Sequence, residues 1–143
     1  MATIAAESVT KAPRGKVFDY LADSRNIQQW FYGVQKVEPL TELIRGLGST
    51  YAITLNVGMP ITAQIECIEF VENELIVVRT FGGPKASSRW TFADEGDGTR
   101  VHGEFDYTLP GGVAGAAMGR LVKPFAAIAA KQTTANVLKY AGR

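Results

Sequence analysis

His102 and Cys67 are the only histidine and the only cysteine of the chain, which narrows the chemistry open to it. A zinc site takes about four thiolate, imidazole or carboxylate ligands in a fixed spacing, so no metal centre is expected. Alternation along 100–109 turns His102 outward beside Glu104 and Asp106, a trio that a solvated polar face explains. Cys67 turns inward with no histidine or other base placed to form its thiolate, so it is expected to fill space and not to attack a substrate. There is no nucleophile elbow, phosphate loop or dinucleotide fingerprint, and Gly82-Gly83 and Gly111-Gly112 read as turn glycines.

A second group of residues suits binding better. Trp30, Tyr51, Trp90, Phe105 and Tyr107, with Met59, Met118 and Phe125, are bulky and apolar, and several carry a hydroxyl or indole donor at the tip. Apolar walls with a few donors are what a hydrophobic ligand with one or two polar groups requires. With the inward-facing Ile53, Ile65 and Val78 they make up the candidate ligand-binding set. Tyr51, Tyr107 and Trp90 are also the candidate catalytic residues, the three orienting a substrate while one tyrosine acts as acid. A phenol of pKa about 10 needs a tuning partner to do so at neutral pH, and the sequence names none.

A long helix and a sheet must position these side chains. Between Gly111 and Arg143, Met118, Leu121, Val122, Phe125 and Ala129 fall on one helical stripe and Arg120, Lys123 and Lys131 on the opposite side. A helix of ~25–30 residues would be ~40 Å long, and it needs one large apolar surface to lie on. A single sheet curled around it would supply that surface. Pro124 cannot donate to the Arg120 carbonyl, so a kink or break is expected near 120–123. Beyond it the inward stripe turns polar at Gln132 and Asn136. Gly111, Gly115 and Gly119 read as close packing of the helix start on the sheet. Gly111, Gly112 and Gly115, facing the Gly58-Met59-Pro60 turn, would also make residues 111–119 a mobile lid over a cavity entrance, because glycines weaken a helix start.

Ahead of the helix, 3–11 reads as a strand, Pro13 opens a short helix bearing Val17, Phe18 and Leu21, and Asp23 or Ser24 caps a second with Ile27, Trp30 and Phe31 on its buried side. Extended runs then follow at 34–43, 50–57, 61–70, 74–81, 86–93 and 100–109, each joined by a short turn, which predicts an antiparallel meander. A three-residue turn at Gly58-Met59-Pro60 would pair Val57 with Ile61 and put Tyr51, Ile53, Leu55, Ala63, Ile65 and Cys67 on the inner face. Continued, this register adds Ile76, Val78, Thr80, Ser88, Trp90, Phe92, Val101, Phe105 and Tyr107, and sets Glu66 beside Arg79 and Arg89 beside Glu104 on the outer face. A slip of one residue would bury Gln64, Glu66 and Arg79 as an ionic site, exposing Ile65, Cys67 and Val78 at a cost of several kcal/mol per buried ion; the outer ladder is preferred.

Composition sets the remaining bounds. A chain of 143 residues is long enough for one domain with a real core. Its net charge of +1 predicts no particular partner, although no acid follows Asp106 and the bases Arg120, Lys123, Lys131, Lys139 and Arg143 stand there alone. Their dispersal along the sequence suggests a basic solvent face in preference to a nucleic-acid site. Arg120 and Lys123 interrupt the apolar run 109–130 and Pro124 follows, which speaks for a buried amphipathic helix and against stable membrane insertion. With one cysteine no internal disulfide can form, and the first residues lack a basic leader and a long apolar core, so a cytoplasmic location is expected.

The order of elements, and the stretch from Ala12-Pro13 through Val17-Phe18 and Asp23 to Trp30, resemble the START-like, helix-grip (SRPBCC) superfamily and its polyketide cyclase/dehydrase-like branch. Gly48 before the strand at Thr50, Trp90-Thr91-Phe92 and Gly98-Thr99-Arg100-Val101 extend the likeness over nearly the whole chain. The resemblance implies an α+β helix-grip fold: a seven-stranded antiparallel sheet curled around a long C-terminal helix, two short helices after the first strand, and an apolar cavity between sheet and helix. It implies one START-like ligand-binding domain over 1–143 that takes up a lipid, isoprenoid or polyketide-like molecule, or else acts on one as a cyclase, aromatase or dehydratase. Any one aromatic of the set could fill a dry core, but on a fold with a cavity the set as a whole favours binding. No cofactor is expected, and the chain would work as a monomer or homodimer. A third reading is an interaction module whose basic helix face docks on a partner.

Overall fold

The computed structural model describes residues 2–56, 60–108 and 112–141, apart from the side chains of Ala2, Ala114, Met118, Leu121 and Val122. Strand β1 (Ala2–Thr10) leads into α1 (Arg14–Ala22), a 3-10 turn at Ser24–Asn26 and the single-turn α2 (Ile27–Trp30). Six strands follow, β2 (Val34–Pro39), β3 (Thr50–Asn56), β4 (Pro60–Val71), β5 (Leu75–Gly82), β6 (Ala86–Glu95) and β7 (Gly98–Tyr107). Helix α3 (Gly112–Asn136) then runs into a π turn at Val137–Ala141. The seven strands form one antiparallel sheet in the order β1-β7-β6-β5-β4-β3-β2. This is the helix-grip arrangement expected.

Local chemistry explains where the elements begin and bend. The Asp23 carboxylate accepts from the Arg25 N–H and caps the 3-10 turn. Strand β2 stops at Pro39, four residues short of the expected end. Residues 40–49 then fold back toward α1, where the Ser24 N–H donates to the Ile44 carbonyl at 3.1 Å. Leu55 pairs with Ile61, where the proposed turn had paired Val57 with Ile61. That shift of two residues keeps Tyr51, Ile53, Leu55, Ala63, Ile65 and Cys67 on their expected face, because strand side chains alternate with period two. Glu66 lies opposite Arg79 and Arg89 opposite Glu104 as expected, with both arginines exposed.

A break at 120–123, one of the two outcomes expected there, is corrected: α3 continues through Pro124. Pro124 and Arg120 both lie on the exposed side, where water can take over the bond that the proline cannot make. The inward stripe continues from Ala129 to Thr133, Val137 and Ala141, all buried, and Gln132 stays outside. Thr133 Oγ1 accepts from the Tyr32 N–H at 3.1 Å, and Ser8 Oγ donates to the Thr134 carbonyl at 2.8 Å, tying the helix to the α2–β2 connection and to β1. Of the lid region, residues 58, 59 and 111 lie outside the described residues, while 112–119 belong to α3. Gly112 has φ +72°, so alanine there would be strained and not helix-stabilising.

The packed core occupies one end of the molecule, where Phe18 stands edge-on to Phe70 and Phe92 at 5.2 and 5.0 Å, with Val17, Val101 and Val137 around them. Toward the other end, the described part of α3 packs mainly on β1 and α2. The inner faces of β3, β4 and β5 are therefore left facing the helix across a gap.

Candidate functional site

That gap is a cavity in two lobes. The first, ≈ 80 Å³, lies under α2 and includes Trp30, Phe31, Tyr51, Cys67, Phe70, Ile76, Val78, Ser88 and Trp90 in its wall. The second, ≈ 100 Å³, lies toward the start of α3 and includes Ile4, Ile61, Ala63, Pro84, Tyr107 and Phe125. Ile53, Leu55, Ile65, Thr80, Ala86 and Phe105 line both, so the lobes meet across these six side chains. One water needs roughly 10–15 Å³, and each lobe exceeds that several-fold. Both have walls that are almost wholly apolar.

The geometry of the wall follows from the sheet. Trp30 and Trp90 meet edge-to-face at 5.0 Å, and Phe31 stands 5.6 Å from Phe105, so the short helix α2 roofs β6 and β7 with aromatic rings. Trp90 fits because its cross-strand partner is Gly103, where a Cβ would stand 2.5 Å from Cε3 of the indole. Phe125 reaches from α3 to Gly33, where a Cβ would lie 2.8 Å from its Cζ, and so closes the second lobe against the α2–β2 connection. Gly33 has φ +91°, which turns the α2–β2 connection and brings its backbone close to that ring.

Few polar atoms face this space. Trp90 Nε1 donates to Ser88 Oγ at 3.2 Å, and Thr80 Oγ1 is held by the Ala86 backbone at 3.1 and 3.3 Å. Tyr51 is only 6% exposed, and its hydroxyl makes no hydrogen bond among the described residues. Burial raises its pKa, with the neighbouring Cys67 as a smaller cause, so this phenol keeps its proton. Trp30 Nε1 is likewise buried without a partner among the described residues. Burial also pushes the Cys67 thiol up to about 11, leaving roughly one thiolate in ten thousand at neutral pH. Ellman's reagent should therefore leave Cys67 unmodified in the native protein over a time in which the urea-unfolded chain reacts fully. Rapid native labelling would show that the thiol is open to solvent and activated.

The outer face carries a separate charge ladder. Arg100 is bonded to Glu7 and, at 3.0 Å, to Glu95. His102 bridges Glu7 at 3.1 Å and Glu104 at 3.2 Å, and the bond to Glu104 chiefly raises its pKa, as two carboxylate acceptors favour the imidazolium. Asp106 instead accepts from the Thr3 hydroxyl at 2.6 Å. Nothing in this ladder faces the cavity. Among the described residues no group of three or more His, Cys, Asp or Glu could hold a metal ion.

Of the candidate binding residues, Trp30, Tyr51, Ile53, Ile65, Val78, Trp90, Phe105, Tyr107 and Phe125 are brought together on the cavity wall. Met59 and the side chain of Met118 lie outside the described residues. Of the candidate catalytic residues, Tyr51 and Trp90 line the first lobe and Tyr107 the second. Phe70 was not anticipated. The register shifts between Cys67 and Glu69, and this bulge turns Phe70 inward where strict alternation places Glu69. Phe31 and Leu55 carried visible signals, one on the buried side of α2 and the other on the inner face of β3.

A protein-family profile described as polyketide cyclase / dehydrase and lipid transport matches residues 1–140. No curated protein matches the chain by sequence. Among solved structures, a Thermus thermophilus protein is 18% identical with a TM-score of 0.82, covering 98% of this chain and 97% of its own. An aromatase/cyclase from Streptomyces is 18% identical with a TM-score of 0.76, covering 99% and 94%. A START superfamily protein from Mycobacterium smegmatis is 16% identical with a TM-score of 0.73, covering 96% and 97%. Likenesses at these identities concern the fold.

Proposed function

Because the chain belongs to the polyketide cyclase/dehydrase and lipid-transport family, we propose that it takes up a hydrophobic small molecule, a lipid, isoprenoid or polyketide-like compound, between the sheet and α3. The observation that carries this reading is the two-lobed apolar cavity, with a tyrosine hydroxyl in its wall that has no partner among the described residues. An apolar ligand displaces poorly bonded water from such a space, and one acceptor on it would satisfy Tyr51. Trp30 and Trp90 line the first lobe, so a naphthoquinone that quenches indole emission is a direct probe. Saturable quenching, together with displacement by long-chain alcohols or isoprenoids, is expected. No quenching by the quinone and no ligand released by denaturing mass spectrometry of the purified protein would defeat the reading.

Replacing Tyr51 separates binding from chemistry. Tyr51→Phe should weaken a ligand bearing a carbonyl by roughly 2- to 10-fold, the worth of one neutral hydrogen bond, and leave an alkane-like ligand unaffected. Stability of the empty protein should change by less than about 1 kcal/mol, since the hydroxyl faces the cavity and gives up no bond to a described residue. Cyclisation or dehydration of a polyketide in the same cavity is the alternative function, with Tyr51, Trp90 and Tyr107 in the roles of orientation and acid. The raised pKa of Tyr51 favours holding a carbonyl over giving up a proton. If Tyr51→Phe and Tyr107→Phe leave turnover of a candidate polyketide unchanged, those roles are lost.

A further inference from the structure

We propose that the outer face of α3 is a docking surface for an anionic lipid bilayer, separate from the cavity. Arg120, Lys123, Lys131 and Lys139 are all exposed on one side of the helix, so bases that look scattered in the sequence form a row about 30 Å long. The same side exposes Val113 at 88%, Ile128 at 53% and Leu138 at 51%, with Ala116, Ala117, Ala127 and Ala135 between them. At 100° per residue these positions fall within about half of the helix circumference, and the buried Gly115, Ala129, Thr133 and Val137 fall on the other half. No Asp or Glu occurs after Asp106, and none of the four bases is paired with a carboxylate among the described residues.

The charge distribution points the same way at the scale of the molecule. Five of the 15 Lys and Arg residues lie beyond Asp106 with no acid, which leaves the rest of the chain with ten bases against 14 acids. The protein therefore has a positive helix side and a negative remainder, and an anionic surface would orient it with α3 downward. Nucleic acid would answer the charges equally well. It would not answer Val113, Ile128 and Leu138, whose apolar surface standing between cations suits the boundary between headgroups and acyl chains. No described helix is long and apolar enough to cross a membrane, so the contact is peripheral. It places the helix that covers the cavity against the phase from which an apolar ligand would come.

Sedimentation with vesicles tests this. The protein should pellet with phosphatidylglycerol/phosphatidylcholine vesicles, stay in solution with phosphatidylcholine alone, and be released by raised salt. Each base at an anionic membrane surface is worth roughly a fivefold gain in binding. The variant Arg120→Glu/Lys123→Glu/Lys131→Glu should thus lose on the order of 100-fold or more. Ile128→Asp/Leu138→Asp should also bind vesicles weakly. Both variants should keep naphthoquinone quenching, which reads the fold and the cavity independently of the membrane contact. The proposal is overturned if the wild type stays in solution with anionic vesicles, or if the charge-reversed variant pellets like the wild type. It is equally overturned if a single-stranded oligonucleotide binds as tightly as the vesicles and Ile128→Asp/Leu138→Asp weakens neither.

Discussion

Ala86→Phe is expected to lower affinity for a hydrophobic ligand on the order of 100-fold or more, with little change in folding stability. Ala86 lies on the inner face of β6, on the same side of the strand as the buried Ser88, Trp90 and Phe92, and it lines both lobes. Its place is fixed twice over, by pairing with Tyr107 and by the Thr80 hydroxyl on its backbone. A phenyl ring added there must enter the junction of the lobes, since the sheet cannot withdraw without breaking both. One methylene gained or lost in an apolar pocket is worth about 1–3 kcal/mol of discrimination, and a ring displaces several methylenes of ligand. Filling an existing void does not force the overpacking that makes small-to-large changes costly in a dense core. The urea midpoint should therefore hold while naphthoquinone quenching is lost. Unchanged affinity would move the ligand out of this cavity.

The inner face of the sheet was legible in the sequence because it rests on period two alone. The wrong pairing of Val57 with Ile61 did no harm, since the observed register differs from it by an even step. The outer pairs Glu66–Arg79 and Arg89–Glu104 followed for the same reason. What alternation cannot carry is an odd step, and the bulge at Cys67/Glu69 is one; it hid Phe70 from the candidate set. The helix misled in a different way. Pro124 suggested a break because the bond it removes was weighed without knowing that its side faces water. The inward stripe was followed to Gln132 instead of Thr133 because an apolar scale does not see a threonine that will accept the Tyr32 N–H. The cavity itself depends on α3 packing toward β1 and away from β3–β5. No local pattern records that offset, so the aromatic set could be gathered but its empty space could not be measured.

Phe18→Ala should be the most damaging single truncation for stability, by about 3–5 kcal/mol, against a total of ~5–15 kcal/mol for a domain. Phe18 is fully buried, and its ring is held edge-on by Phe70 and Phe92. The Arg45 guanidinium lies 5.7 Å from the Phe18 ring centre and 5.4 Å from that of Phe70, while forming ion pairs with Asp19 and Glu72. Removing the ring leaves a void that α1 cannot close, because Val17 and Leu21 on either side are themselves buried. It also withdraws one face of the support for Phe70, which lines the first lobe. Two effects should then appear together: a fall of roughly 10 °C or more in Tm, and a modest loss of quinone affinity measured well below that temperature. Phe18→Leu keeps most of the volume and should cost less than half as much. Phe18 itself does not line the cavity, so the affinity loss should vanish in a Phe70→Leu background, where there is no ring left to support. An affinity loss of equal size in both backgrounds would mean that Phe18 reaches the ligand by some route other than Phe70.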